Sequence, residues 1–494
     1  MTSTPTVPAM LARTAERFEN RVALIDTSRR RTWGDVATDV ERRTAALRHR
    51  QVGPGDAVGI VLGNDMEFVT TFLAVVSTGA VAVPLNPLLT VAELGLYLRD
   101  RPVAGIVTTA SRVPAIGNWA AAAGDGAWVA DVVGFDTVRD VDVPADVCTP
   151  EMPALHAFSS GSTGTPKGIV RTHANLTHEA DNFFDTVGVS EDDVILTAVA
   201  LFHAHGLGNC VLAAVRSGAA MVLLDPFRRD AALEAMARER VTVFPTVPFV
   251  VQTLAETRRA DRRRAGSLRL CFTAGAPLAR ETFDLFSTRF GLPVRQLYGC
   301  SEAGSVTINL DEDVAATAAS VGRPMKGIEV AIVGEQGESR PPGSTGEVTF
   351  TSPALADGYV GVAPEANDAF RDGWFHTGDL GHVDEAGNLY VTGRTKLFIS
   401  TGGYKVDPVE VENVLRQHDG VADVVVVGAA GTLGEEIVKA VVVPADSVDE
   451  AVLRGELTGL CRTRLAVYKV PRIVEFRPEI PRSPLGKILR KYLV

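Results

Sequence analysis

The chain has 494 residues, 46% of them apolar and 22% charged, with a formal net charge of −11. That length exceeds one ordinary hydrophobic core and implies roughly two to four domains, while the composition is that of a soluble globular chain rather than a fibrous or low-complexity one. The negative balance argues against a nucleic-acid partner, whose recognition needs a positive field.

The opening "MTSTPTVPAM" has no basic segment followed by an apolar core, so no secretion signal is expected and the chain is read as cytoplasmic. Arg29–Arg31 and the arginines between 258 and 264 read as solvated faces. "AVGIVLGN" (57–64) predicts a strand, and "EFVTTFLAVVSTG" (67–79) a helix closing at a glycine. The longest apolar stretch, Phe68 to Val83, is interrupted by Thr70, Thr71, Ser77 and Gly79 and stops at Pro84. It is too short and too polar to cross a bilayer, so it predicts a buried helix running into a strand. The same alternation returns at 231–248 and 268–277, which implies largely parallel sheets covered by helices.

From about residue 322 the texture changes to shorter strands and turns, "GIEVAIVG", "STGEVTFTS" and "GNLYVTGR", predicting a small antiparallel or barrel-like subdomain. After "GRTK" (393–396) a smaller α+β unit is expected. Asp407-Pro408 is a good cap and first-turn pair for a helix, followed by strands at 421–430 and 435–445, a helix near 449–465 and a strand "RIVEF". The expected class is α/β, with a large N-terminal domain over 1–395 and a small C-terminal domain over 396–494. Cys148, Cys210, Cys271, Cys300 and Cys461 lie far apart, without metal-ligand spacing, and read as reduced thiols.

The stretch most suggestive of chemistry is "SSGSTGTPKGIV" (159–170). Gly161, Gly164 and Gly168 let the backbone approach an anion, Ser159, Ser160, Ser162 and Thr163 offer hydroxyls, and Lys167 offers a mobile positive charge. The GK[ST] order of a P-loop nucleotide hydrolase or kinase is absent. "YGCSEAG" (298–304) sets an aromatic ring, a hydroxyl and a carboxylate in consecutive reach, and a carboxylate beside phosphate suits Mg²⁺. "WFHTGDLG" (374–381) reads as a tight turn presenting Asp379 to ribose hydroxyls, "GRTK" ends a strand at Arg394, and "PRSPLGKILRKYL" (481–493) braces Lys487 on a Pro/Gly turn.

In this order, "SSGSTGTPKG", "LFHAHG", "TAGAPL", "YGCSE", "FRDGWFHTGDLG", "GRTKLFISTGGYKVDPVEVE" and "PRSPLGKI" resemble the ANL superfamily of adenylate-forming enzymes, from about residue 20 to 494. The resemblance is to its AMP-forming acyl-CoA synthetases and implies an ATP-binding N-terminal domain and a mobile C-terminal lid. It implies that the loop 159–168 binds the β- and γ-phosphates of ATP. Gly275, Ala276 and Pro277 would border adenine, with Tyr298 stacked on its face, and Gly299 and Cys300 would belong to the same ATP/AMP-binding site. Ser301 would contact the α-phosphate, where the family more often has threonine, and Glu302 would ligate Mg²⁺. Asp379 would take the ribose hydroxyls, Arg394 would sit near ribose and phosphate, and Lys396 would be the hinge. Lys487 would be the catalytic lysine of adenylation, and Gly402 and Gly403 would line the tunnel for the CoA thiol.

The resemblance places the acyl pocket on segments 202–209, 246–253, 273–276 and 300–306. Amino-acid-activating members carry Asp where this chain has His203, so an α-amino acid is not expected. "FHAHGLG" is similar to malonyl- and oxalyl-CoA synthetases, but Thr253 stands at the apparent position of the malonate-pairing arginine. Phe202, Gly206, Phe249, Val250 and Thr253 then point to an apolar monocarboxylic acid, with His203 on the pocket wall between carboxylate and thiol path. CoA is the expected acceptor. An acyl carrier protein and a dicarboxylate substrate are the alternatives, and the resemblance leaves a homodimer open.

Overall fold

The computed structural model describes residues 5–99, 101–124, 126–135, 147–159, 167–256, 265–334, 336–362, 367–394, 398–431, 435–445, 449–481, 488 and 492–493. The chain divides into two compact units. The first holds Met1–Pro87, Asp100–Ala157 and Gly168–Gly393, and the second Leu88–Arg99, Phe158–Lys167 and Arg394–Val494.

The larger unit is built on two sheets. In one, of nine strands, Val294–Cys300, Leu270–Thr273, Val243–Thr246, Val194–Thr197, Ala220–Leu223 and Val22–Ile25 are neighbours in that order. All of these neighbours run parallel. Antiparallel strands flank this parallel set, Gly304–Ile308 and then Arg323–Pro324 on one side and Arg30–Thr32 on the other. In the six-stranded sheet Trp128–Asp131, Gly105–Thr108, Ala57–Val61, Val81–Pro84 and Pro153–Ser159 also pair in parallel. Parallel strands need helical crossovers that bury both faces, which is why "AVGIV" and "VAVP" are continuous apolar runs buried at every position.

The helix Met66–Ser77 between those two strands forms as its sequence predicts. The Asp65 carboxylate accepts from the Phe68 N–H at 2.6 Å, and Gly79 takes φ +82° just past the end, a left-handed stop that a side chain would strain. Its apolar residues face the core on nearly every side, with Phe68, Phe72 and Val76 fully buried. The shorter strands predicted after residue 322 form an antiparallel five-stranded sheet, in which Gly346–Thr351 lies between Glu329–Val333 and Trp374–Val383.

The smaller unit carries the three-stranded sheet of Val421–Ala430, Glu436–Pro444 and Ile473–Phe476. One face, with Val424, Val426, Val438 and Val442, packs on the helices Pro408–Leu415 and Glu450–Arg464 through Val411, Leu415, Leu453 and Leu457. The other face, with Val425, Val427 and Val441, is covered by Ile480, Ile488 and Leu493 from the end of the chain. Two covered faces explain the unbroken "VVVV". The helix Val91–Leu98 belongs to this unit and is tied to it by a buried charge cluster: Lys469 Nζ donates to Glu93 Oε1 at 2.9 Å and Glu410 Oε1 at 2.7 Å. No helix among the described residues is long and apolar enough to cross a membrane.

Candidate active site

Parallel sheets present their loops at the carboxyl ends of the strands, where ligands bind in open α/β folds. The strands Val194–Thr197, Val243–Thr246, Leu270–Thr273 and Val294–Cys300 end together in this way. Their exits carry the segments 202–209, 246–253, 274–277 and 300–304. Gly275 takes φ +89°, and an added Cβ there would meet no atom within 4 Å, so its backbone faces open space.

The turn after Val294–Cys300 is a tight antiparallel reversal, with Cys300 opposite Gly304. It holds Ser301 and Glu302. Glu302 is 5% exposed; its Oε1 accepts from the Tyr359 hydroxyl at 2.8 Å and its carbonyl from the Ala356 N–H at 2.8 Å. Burial, and then the neighbouring Glu302, push the Cys300 thiol far above its ordinary range, so it stays protonated. The sequence contains no cue to Tyr359 as a partner of Glu302, because the two meet only through tertiary folding.

Tyr298 and Asp379 meet directly: the phenol donates to Asp379 Oδ2 at 2.6 Å. Burial, then the Asp379 charge, raise the phenol pKa well above its ordinary value, so it remains a donor. Asp379 does not lie in a tight turn as its sequence suggests. It sits within the strand Trp374–Val383, where the pairing with Gly346–Thr351 slips register. Gly378, at φ +70°, makes the local kink, and its N–H donates to Glu347 Oε1 at 3.0 Å. "TGDLG" therefore reads as a turn but is an irregular strand.

On the neighbouring wall the short helix Ala204–Gly206 runs into the π-helical turn Leu207–Leu212. His205 Nε2 lies 3.0 Å from the Thr246 carbonyl, and Nδ1 lies 2.9 Å from Asn209 Nδ2. Asn209 Oδ1 in turn accepts from Ser305 Oγ at 2.8 Å. The carbonyl needs an N–H, so Nε2 carries the proton and Nδ1 accepts. Burial lowers His205 to about 4, keeping it neutral. This chain ties together three of the predicted pocket segments through residues that sequence reasoning passed over.

Other pocket candidates have different surroundings. His203 is exposed, with its ring 4.7 Å from that of Phe202. Gly206 is demanded by packing, since a Cβ would lie 2.2 Å from the Ala200 carbonyl oxygen. Val250 is 3% exposed within an apolar cluster with Leu254 and Phe283, while Phe249 is half-buried against it. The Thr253 hydroxyl donates to the Phe249 carbonyl of its own helix at 2.8 Å.

In the smaller unit, Gly402 and Gly403 form the two-residue turn between the strands Ile399–Thr401 and Tyr404–Val406. Their φ values of +56° and +87° are the backbone need of that hairpin. Lys167 begins the strand Lys167–Thr172 and Arg394 ends the strand Leu389–Arg394. Ser160, Gly161, Ser162, Thr163, Gly164, Lys396 and Lys487 lie outside the described residues, as does the Ser159 side chain. Among the described residues no group of three or more His, Cys, Asp or Glu could hold a metal ion.

The family model for AMP-binding enzymes matches residues 11–360, and that for the AMP-binding enzyme C-terminal domain matches 410–487. A feruloyl-CoA synthase from Amycolatopsis sp is 36% identical over 93% of this chain and 92% of its own length. The long-chain-fatty-acid–CoA ligase FadD13 of Mycobacterium tuberculosis (strain ATCC 25618 / H37Rv) is 32% identical over 94% of this chain and 93% of its own length. Among solved structures, o-succinylbenzoate CoA synthetase from Bacillus subtilis, a double mutant bound to a product analogue, superposes with a TM-score of 0.89. It shares 28% identity and covers 98% of both chains. Matches that span nearly the whole chain in both sequence and fold leave one assignment: this chain belongs to the ANL superfamily of AMP-binding enzymes, as an AMP-forming acid–CoA ligase.

Proposed function

We propose that this enzyme activates an apolar monocarboxylic acid with ATP and transfers the acyl group to CoA. A substrate carboxylate oxygen attacks the α-phosphorus, the bond to pyrophosphate breaks, and acyl-AMP forms. The CoA thiolate then attacks the acyl carbonyl and AMP leaves. The observation that carries the choice of acid is the neutral wall around His205. Its ring is held uncharged by burial, with one nitrogen bonded to the Thr246 carbonyl and the other to Asn209. Thr253 is turned onto its own helix. Such a wall offers no cation to a second carboxylate, whose unpaired burial is costly.

In this reading Asp379 binds the ribose while Tyr298 orients it, His203 stands at the mouth of the acyl pocket, and Ser301 contacts the α-phosphate. Glu302 fits Mg²⁺: a lone hard carboxylate suits an ion that takes its remaining ligands from phosphate oxygens and water. Bound there, Mg²⁺ would supply charge neutralisation at the phosphates. Lys487 adds a further cation in this reading. One positive charge about 4 Å from the developing charge contributes roughly 4 kcal/mol at an effective dielectric near 20, about a thousandfold in rate. No general base is needed, because the attacking carboxylate is already ionised.

A pyrophosphate-release screen over aryl, indolyl, fatty and dicarboxylic acids, with CoA, carrier protein or no acceptor, tests this. Apolar monocarboxylates with CoA should turn over fastest; preference for a dicarboxylate overturns the choice of acid, and preference for carrier protein overturns the acceptor. Lys487→Ala should lose pyrophosphate exchange yet still convert supplied acyl-AMP to thioester. Normal exchange in that variant removes Lys487 from its role.

A further inference from the structure

A fully buried ion pair lies beside the turn that carries Glu302, outside the groups used above. Arg171, on the strand Lys167–Thr172, is 1% exposed, and its Nη1 donates to Glu179 Oε2 at 2.6 Å; Glu179, on the helix His173–Val187, is 3% exposed. The Nη2 group reaches the carbonyls of Asn175 at 3.2 Å, Ala303 at 3.2 Å and Ala354 at 3.1 Å. Ala303 follows Glu302, and two residues past Ala354 the Ala356 N–H donates to the Glu302 carbonyl at 2.8 Å. Five residues past Ala354, the Tyr359 hydroxyl holds Glu302 Oε1. The segment around Tyr359 returns to the strand of Arg171 through the Ile169–Tyr359 bridge and the Val360 N–H to Gly168 carbonyl bond at 2.8 Å.

We propose that Arg171, braced by Glu179, is a positioning residue for the metal-ligating carboxylate of Glu302. The proposal rests on the reading of Glu302 given above. One guanidinium fixes the main chain on both segments that hold that side chain: the 301–304 turn behind it and the 353–359 loop that supplies its hydroxyl partner. Apolar residues of equal volume would pack there as well or better, since a buried pair is weak evidence for stability. They would leave the carbonyls of 303 and 354 without their donor. The turn is shaped around the pair: a Cβ on Gly304 would lie 2.0 Å from Glu179 Oε1, and one on Gly208 1.9 Å from the same atom.

The test is Mg²⁺·ATP binding by calorimetry, with ATP in chelator as control, on Glu302→Gln, Arg171→Lys and the double variant Arg171→Met/Glu179→Leu. Arg171→Lys keeps the charge pair and hence the fold, but an ammonium cannot span the carbonyls. Partners of this kind change metal affinity by about 10–100-fold, so Arg171→Lys and the double variant should raise the half-saturating Mg²⁺ concentration by about tenfold or more while metal-free ATP binding is unchanged. If Glu302→Gln weakens Mg²⁺·ATP binding and Arg171→Lys leaves it at the wild-type value, the positioning role falls and the Glu302 reading survives. If Glu302→Gln itself changes nothing, both fall. Should the double variant fail to fold, Arg171→Lys alone decides.

Discussion

Asp65 shows how one side chain can serve a fold and strain it together. Its carboxylate caps the helix Met66–Ser77, yet burial, with the charges of Glu67 and Asp225 added, raises its pKa from 3.8 to about 7. A carboxyl raised in the folded state contributes stability that is complete below its unfolded value and is lost as pH rises through its folded one. The loss therefore falls between about pH 4 and 7. Asn caps helices as well as Asp does and carries no charge. Asp65→Asn should then be more stable than wild type at pH 8 by on the order of 1–2 kcal/mol, with the gap closing by pH 4. Urea unfolding at both pH values measures it. An equal or lower stability at pH 8 would show that the cap charge outweighs its burial.

At the scale of elements, the hairpin around Gly402 and Gly403 separates two demands on the same residues. Both glycines take positive φ, but it is at Gly403, at +87°, that any side chain would distort the turn whatever its role toward CoA. Gly402, at +56°, lies in the left-handed region that asparagine tolerates, and a Cβ there meets nothing within 4 Å. Gly402→Asn should therefore keep the hairpin and pyrophosphate exchange while slowing thioester formation several-fold, as stopped-flow measurement with preformed acyl-AMP would report. Unchanged thioester formation places the thiol path elsewhere.

Strands and helices such as Ala57–Val61, Met66–Ser77 and Pro408–Leu415 were legible because apolar runs, caps and glycine stops lie close together in sequence. The motifs also named Tyr298 and Asp379, which the fold brings into direct contact. The strand position of Asp379 was not, because Gly378 and Gly381 mimic a turn. Nor was the chain from His205 through Asn209 to Ser305, whose links span up to 96 residues and leave no local pattern. Arg171 and Glu179 stand eight positions apart across a strand-to-helix junction, where no periodicity pairs them.

For the whole molecule, the division into units does not follow the order of the chain. The helix Val91–Leu98 interrupts the first unit in sequence but is bound within the second by Lys469, whose side chain is 2% exposed between Glu93 and Glu410. Burial raises the Glu410 carboxyl, and the Lys469 charge opposes that rise. Lys469→Met would leave two carboxylates buried without a cation, a loss of about 3–5 kcal/mol. With Lys469 gone, Glu410 rises further, so the loss should be larger at pH 8 than at pH 5, where the carboxyl is closer to neutral. Hydrogen exchange of the strands Val421–Ala430 and Glu436–Pro444 reads it. Wild-type protection at pH 8 would mean that the cluster is solvated in practice.

That helix also has a history during synthesis. Residues 88–99 leave the ribosome long before residue 394, and at roughly 5–20 residues per second the delay is on the order of tens of seconds. Eight residues are too few to hold a helix unaided in water, so the Thr90–Glu93 capping box is the local support available until Lys469 emerges. Glu93 thus acts twice: first as the local partner in the capping box, then as the anion its distant lysine closes upon.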